Sequence, residues 1–287
     1  MSLSMPSCAK VKKSPIESKP SLLAAWYPRA VFEWLRRLRQ KARDIVLPNR
    51  EERAPRNQEK VNLKPYTPSA RVFLGQLAYL QLSQFELLTN ELKFSPNTQY
   101  KAELSEAAAK SFEKYRGIAR IMSSLGIDTT DAMDPFTERI QTFHSRTAGI
   151  DWFEAIIKVY LVAGFLDDFY RRLSVGLPAD IRVDVERSLN DKTFEKFAKR
   201  ILAESMRDDP QLASRLAVWG RRLMGDVLLE IRAAFDNRKL AGVAKDKTLT
   251  LEEERVVNLQ AYSKLEPLVS ELMAAHTMRM DALGLTA

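Results

Sequence analysis

The sequence predicts an all-α protein built around an antiparallel four-helix bundle with additional helices. Several long stretches carry apolar side chains at three- and four-residue spacing, and short breaks containing glycine, proline or aspartate separate them. Only 10 of the 287 residues are glycine, and no stretch alternates apolar and polar residues over the length of a strand. Long helices joined by short connections are what an antiparallel bundle requires.

The predicted bundle occupies residues 69–287 and consists of helical patterns separated by recognisable breaks. The predicted helices cover 69–94, 99–123, a short segment after Asp134 and Pro135, 150–175, 179–207, 210–238 and a last helix from about Thr248 to about 283. Asp134 is the predicted N-cap of the short helix, with Pro135 at its first position. The stretch 150–175 is apolar on nearly every face, which predicts a buried helix. Pro267 is a candidate kink in the last helix.

A basic N-terminal extension, residues 1–68, precedes the bundle. It carries 15 Lys and Arg against 6 Asp and Glu, whereas the remaining residues carry 30 against 31, so the formal net charge of +8 belongs to the extension. Residues 1–20 are rich in Ser, Pro and Lys and predict a disordered tail. Residues 48–68 are polar and punctuated by proline, which predicts a linker.

Between the tail and the linker, residues 22–46 predict an amphipathic helix that could contact a partner. Apolar residues recur on one face, and basic residues fill most of the other positions. This pattern is compatible with an anionic membrane surface, with RNA phosphates, or with packing of the apolar face on a protein partner, on the bundle or on a second copy. The predicted contact residues are Trp34, Arg36, Arg37, Arg39, Lys41 and Arg43.

Three segments of the body resemble a known family. They are FHSRTAGIDWFEAIIKVYLVAGFLDDFY (143–170), RLAVWGRRLMGDVL (215–228) and HTMRMDALGL (276–285). They are similar to the actinobacterial ferritin-like proteins grouped with the tRNA 2-methylthio-N6-isopentenyladenosine hydroxylase. The resemblance covers about 70–287 and implies a ferritin-like fold. It also implies a diiron-dependent hydroxylase or monooxygenase as one possible activity.

The resemblance also implies where the ligands of a diiron centre should lie. Such a centre takes a carboxylate from each of two helices and a Glu-x-x-His pair from each of the other two. The matching positions in this chain are Gln81, Ser111, Lys114, Ala163, Asp191 and Phe194. By this register only Asp191 keeps a ligating side chain, and Lys114 places an ammonium where a dication should bind.

The sequence supports the same interpretation without the resemblance. The chain has two histidines, His144 and His276. The residues three positions before them, Gln141 and Met273, are not acidic. No Glu-x-x-His or Asp-x-x-His occurs in the chain. Glu113 and Glu195 lie one or two positions from the matching sites and could build a non-standard metal site only if the register shifted. Because such a shift turns a side chain by about 100–200°, both are expected to face solvent.

Other candidate residues receive structural interpretations. His144 is expected to bond a backbone carbonyl at the end of a short helix, and His276 is expected to be structural. Adjacent residues on a helix diverge by about 100°, so Asp167 and Asp168 do not predict a carboxylate dyad. Asp168 is expected to pair with Arg171 or Arg172. We predict no catalytic and no cofactor-binding residue.

These observations favour a noncatalytic ferritin-like protein with a binding or structural role. The alternative is a diiron-dependent hydroxylase of the tRNA-modifying type, with diiron as its cofactor. Homo-oligomerisation or pairing with a ligand-bearing paralogue is a further expectation. The single cysteine, Cys8, excludes an internal disulfide, and neither a membrane span nor a secretory signal is visible. The expected location is the cytoplasm, with peripheral membrane contact through residues 22–46.

Overall fold

The structure is a computed structural model that describes residues 62–233, 235 and 248–285. Within these residues the regular elements are helical. The α-helices, numbered in chain order, are α1 Ala70–Glu91, α2 Thr98–Ser124, α3 Thr129–Met133, α4 Thr137–Arg146, α5 Trp152–Leu173, α6 Ala179–Ser188, α7 Thr193–Asp208, α8 Pro210–Ala233 and α9 Leu251–Asp281.

Four helices form the central bundle. Helix α1 packs on α2 and α5, and α7 packs on the same two helices, so the four contacts close a ring. Helices α8 and α9 also pack on α5, and α6 packs on α2. The predicted all-α bundle with additional helices is confirmed.

Helix α5 is the most deeply buried element of the bundle. It begins where the Asp151 side chain accepts a hydrogen bond of 2.9 Å from the backbone N–H of Glu154, which satisfies one of the free donors at the helix start. Buried apolar side chains then follow on nearly every face: Ile156, Ile157, Val159, Tyr160, Leu161, Val162, Phe165 and Phe169. The prediction of a buried helix over 150–175 is confirmed, because four other helices cover α5.

Helix α2 has clear chemical boundaries. Its N-cap is Asn97, whose side chain accepts a hydrogen bond of 2.8 Å from the backbone N–H of Tyr100. It ends before Gly126, which adopts a φ of 68°, a left-handed conformation that favours glycine. These signals explain why the predicted range 99–123 agrees with the structure.

The predicted helix 179–207 is wrong, because the chain forms two helices here. Helix α6 ends at Ser188 and α7 begins at Thr193, with a short non-helical connection between them. The Asp191 side chain accepts a 3.0 Å hydrogen bond from the backbone N–H of Thr193, so it stabilises this turn. The sequence Asn190-Asp191 was the missed turn signal.

Two further helix starts differ from the prediction. Asp134 is not an N-cap; it begins a short 3-10 turn, Asp134–Phe136, and α4 starts after it. The last helix begins at Leu251 with Thr250 as its N-cap, in a capping box with Glu253. Helix α9 then continues through Pro267 as one element.

Packing of the body extends at least six residues before the predicted boundary at Ser69. Leu63 is 1% exposed and belongs to the core. The Thr67 hydroxyl donates a 2.7 Å hydrogen bond to the backbone carbonyl of Leu173 at the end of α5. The final part of the predicted linker 48–68 is therefore anchored to the bundle.

Several predictions concern residues that the structure does not describe. They include the disordered tail 1–20, the amphipathic helix 22–46 with its basic contact residues, and the end of the predicted helix 210–238. Among the described helices, none is long and apolar enough to cross a membrane.

Candidate functional site

A small cavity of about 30 Å³ lies among the four bundle helices, and we call it the central cavity. Five of the six positions that match the family's ligands line it: Ser111, Lys114, Ala163, Asp191 and Phe194. The sixth, Gln81, lines a second cavity that shares Ala163 and Asp167 with the first. The structure therefore brings the six positions into one region of the bundle interior.

A buried ion pair joins two walls of the central cavity. The Lys114 Nζ lies 3.2 Å from the Asp167 Oδ2, and the two side chains are 10% and 7% exposed. The Gln81 Nε2 donates a 3.2 Å hydrogen bond to the other carboxylate oxygen, Asp167 Oδ1. Asp167 thus receives one charged and one neutral donor, which compensates its burial.

Asp167 is the site residue that sequence reasoning missed. The sequence interpretation treats it only together with its neighbour Asp168. The Asp168 carboxylate instead pairs with Arg171 at 3.6 Å and with Arg279 at 2.5 Å. The expectation that the two carboxylates diverge and that Asp168 pairs with Arg171 is confirmed. The available signal was the helical period, because Asp167 lies four residues after Ala163 and shares its face of α5.

Asp191 and Phe194 do not form a pair of ligand positions on one helix turn. Asp191 lies in the connection before α7, whereas Phe194 is in the first turn of α7 and is 8% exposed. A Glu-x-x-His pair places its two ligands on one face only when both residues are helical. The two positions therefore lie near each other, but the backbone at Asp191 is not the helix that the resemblance implies.

The two displaced carboxylates have different positions. Glu113 is exposed and pairs with Arg116 at 2.9 Å, as expected of a residue facing solvent. The Glu195 side chain is 40% exposed and so also reaches solvent, but it lines the central cavity as well.

The carboxylates around the central cavity are already engaged. Asp167 holds the Lys114 ammonium, and Asp191 stabilises the turn before α7. Glu195 lies 3.0 Å from Lys192. Although burial raises it, the hydrogen bond and charge of this lysine lower the pKa of Glu195 overall. The cavity therefore has a balanced, ion-paired lining.

These residues do not fit a diiron centre. Two irons of the usual kind need four carboxylates and two imidazoles, and the cavity lining contains no histidine. Across the described ranges, no three His, Cys, Asp or Glu side chains come together in a way that could hold a metal ion. An iron at this position would also face the ammonium of Lys114, which repels a cation.

The second cavity, which we call the apolar cavity, lies between α1, the end of α4 and α5. It has a volume of about 30 Å³ and is not fully enclosed. Aliphatic side chains form most of its wall: Leu80, Leu87, Val159, Val162 and Leu166. Its polar groups come from Gln81, His144, Lys158 and Asp167, together with Gln84.

Lys158 is a buried amine in the wall of the apolar cavity. The residue is 3% exposed, and its Nζ donates a 3.0 Å hydrogen bond to the backbone carbonyl of His144. Among the described residues, no carboxylate lies within 4.0 Å of this nitrogen. Burial, only partly offset by the charge of Glu91, lowers the pKa of Lys158 to about 8.

His144 has a different partner from the one expected. Its Nε2 lies 3.1 Å from the Ser83 hydroxyl rather than near a backbone carbonyl. The Ser83 hydroxyl also lies 3.0 Å from the Leu80 carbonyl, to which it can donate, and this arrangement favours an imidazole proton on Nε2. Burial and the charge of Lys158 lower the pKa of His144 to about 3, so the ring is neutral.

His276 is buried in α9 and is 3% exposed. Neither ring nitrogen has a hydrogen-bond partner among the described groups. Burial and the charge of Arg279 lower the pKa of His276 to about 4. These features agree with the structural role expected for this residue.

An open groove of about 520 Å³ runs between α2 and α6 to the edge of the central cavity. Lys114 and Asp191 line both spaces. Charged side chains of both signs line the groove, including Lys110, Glu113, Arg120, Asp184 and Arg187. The groove and the central cavity therefore lie on two sides of Lys114 and Asp191.

The fold and the interior cavity among four long helices define a ferritin-like helical bundle. The chain belongs to the family described as the ferritin-like domain of actinomycetes, whose model matches residues 65–245. No curated protein matches the chain significantly. The match confirms the ferritin-like part of the resemblance, and the grouping with a tRNA hydroxylase stays a prediction.

Proposed function

We propose that this protein is a noncatalytic member of its family, in which an organic ion pair takes the place of a diiron centre. The observation that carries the proposal is the contact between Lys114 and Asp167, at 3.2 Å in the bundle interior. The proposal includes a relationship to the tRNA-modifying hydroxylases, supported by the segments 143–170, 215–228 and 276–285. The bundle would then serve as a binding or structural unit.

The physical support for this proposal is electrostatic. To admit iron, the Lys114 ammonium would have to leave or lose its proton, and Asp167 would have to exchange a lysine for a metal. Breaking a buried ion pair leaves an uncompensated charge, which typically costs about 3–5 kcal/mol. The described lining contains no imidazole that could bind iron and offset this loss of free energy.

The test is iron loading of the full-length protein. Purified protein is incubated anaerobically with excess Fe(II), exposed to oxygen and desalted, and its iron content and visible absorption are measured beside an iron-binding ferritin. We expect negligible iron and no absorption of an oxo-bridged diferric centre. A content of about two irons per chain, as a diiron hydroxylase requires, would overturn the proposal in favour of the enzymatic alternative.

We further propose that residues 22–46 provide the contact with a partner. The support is the sequence alone: a basic face that includes Arg36, Arg37 and Arg39 beside an apolar face that includes Trp34 and Leu38. An anionic membrane surface, RNA and a protein partner are the candidate contacts.

Deletion of residues 1–47 tests this second proposal. The truncated protein should keep the helical circular dichroism and cooperative unfolding of the full chain. It should lose sedimentation with anionic liposomes and mobility shifts with RNA. Equal binding by the truncated and full-length proteins would place the contact on the bundle, and co-purification of a paralogue in both forms would indicate a structural subunit.

A further inference from the structure

We propose that Lys158 is a covalent binding site for small aldehydes, with which it forms an imine inside the apolar cavity. The proposal goes beyond the noncatalytic role above, because it concerns a different cavity and a different residue. Three observations carry it: an enclosed amine, the absence of a carboxylate partner among the described residues, and an aliphatic wall of restricted volume.

The first observation is the environment of the amine. Lys158 is 3% exposed, and among the described residues its Nζ has a single hydrogen-bond partner, the His144 carbonyl, at 3.0 Å. Lys114, which is 9% exposed, instead has a carboxylate against its ammonium. An ammonium without a nearby anion is expensive to bury, so burial increases the fraction of neutral, nucleophilic amine at Lys158.

The second observation concerns the charged and titratable groups that surround Lys158. Glu91 at the end of α1 attracts the ammonium, but it lies beyond ion-pairing distance. His144 on α4 is neutral, and Asp167 on α5 is occupied by Lys114 and Gln81. Desolvation therefore outweighs the attraction, and the pKa of Lys158 falls to about 8.

The third observation is the shape and chemistry of the apolar cavity, which select the reagent. The cavity has a volume of about 30 Å³, room for roughly one or two water molecules, so we expect only a compound of one or two carbons to enter without rearrangement. The aliphatic wall disfavours a new charge. Carbon dioxide would leave a buried carbamate anion, whereas an aldehyde leaves a neutral imine.

The reaction balances without another reactant. The amine nitrogen attacks the carbonyl carbon, the carbon–oxygen π electrons move to oxygen, and oxygen takes up the proton that nitrogen loses. Elimination of this oxygen as water then forms the carbon–nitrogen double bond. The net change is one amine and one aldehyde giving one imine and one water.

Site-resolved labelling of the full-length, folded protein tests the inference. The protein is treated with acetaldehyde and cyanoborohydride, which reduces an imine to a stable ethylamine, and each lysine is quantified by peptide mass spectrometry. At pH 8 we expect Lys158 to be labelled on the order of ten-fold or more faster than Lys114, which is the matched buried control. In urea the two should react equally.

Two further measurements keep the result independent of folding defects in a variant. The rate at Lys158 should reach half of its maximum near pH 8. A bulky aromatic aldehyde should label exposed Lys93 and leave Lys158 unmodified in the folded protein. Lys158→Arg, which keeps a donor for the His144 carbonyl, should remove this site alone. Labelling of Lys158 no faster than Lys114 in the folded protein would overturn the inference, whatever the outcome of iron loading.

Discussion

Lys114 of α2 and Asp167 of α5 form an ion pair at the point where the bundle interior meets the groove, with 3.2 Å between the Nζ and Oδ2 atoms. The pair joins two helices of the ring that have no other described ion pair with each other. Its burial makes each partner dependent on the other.

Lys114→Met should therefore destabilise the protein strongly. The substitution leaves the Asp167 carboxylate buried with only the Gln81 amide as a donor, and we expect a loss of about 3–5 kcal/mol in the free energy of unfolding. Urea denaturation followed by circular dichroism measures it. Arg187→Ala is the matched control, because it breaks an exposed pair with Asp184 and should cost at most about 1 kcal/mol. Equal costs for the two variants would contradict the role assigned to the buried pair.

Gly75→Ala should be among the most damaging small substitutions in α1. A Cβ at this position would lie 2.1 Å from the carbonyl oxygen of Ala132, so α1 and α3 would have to separate. We expect a loss of at least about 2 kcal/mol. Gly225→Ala in α8 provides the control, because its Cβ would meet none of the described atoms within 4 Å. That variant should gain up to about 1 kcal/mol from helix propensity. The pair of thermal unfolding curves should therefore move in opposite directions.

The two N-caps that precede α1 and α2 should respond differently to truncation. Asn97 accepts a 2.8 Å hydrogen bond from the backbone N–H of Tyr100, whereas the side chain of Ser69 makes no capping hydrogen bond. Asn97→Ala should cost about 1 kcal/mol, and Ser69→Ala should cost much less. Chemical denaturation of both variants tests the difference, and a larger loss for the Ser69 variant would refute it.

Acid should destabilise the fold through its two histidines. The pKa of His144 is lowered to about 3 and that of His276 to about 4, while both have an ordinary value of 6.5 when unfolded. Below pH 6.5 the unfolded chain binds protons that the folded chain does not, so the free energy of unfolding falls as the pH decreases towards these values.

The double variant His144→Gln and His276→Leu checks this assignment. It should flatten the decline in stability between pH 6.5 and pH 4, by at least about 1 kcal/mol relative to the wild type. Denaturation midpoints measured at half-unit intervals give the profile. An unchanged slope would assign the acid sensitivity to carboxylates instead.

Periodicity and caps made most of the fold predictable. The buried character of 150–175 followed from an apolar sequence on all faces, and the ends of α2 followed from Asn97 and Gly126. The connection before α7 was missed because it contains neither glycine nor proline. Its turn is stabilised by the Asp191 side chain, and an aspartate is a weaker sequence signal for a turn than glycine or proline.

The candidate site was predictable as a region and not as a set of contacts. The matching positions led to the central cavity, but Asp167 was not among them, because the family pattern expects a carboxylate one turn earlier at Ala163. Lys158 belongs to no sequence motif, and its proposed reactivity depends on its burial and on the identity of its neighbours. Such properties arise from tertiary packing, which one sequence does not display.

The interruption between Ser188 and Thr193 also bears on whether metal ligands could be introduced into this bundle. Carboxylates and imidazoles introduced at 81, 111, 114, 163 and 194 would still meet a main chain that is not helical at Asp191. Exchange of side chains alone would leave the ligand at position 191 outside the helical geometry that the ligand pair requires. The peptide path between the two helices would have to be rebuilt before the bundle could hold iron at these positions.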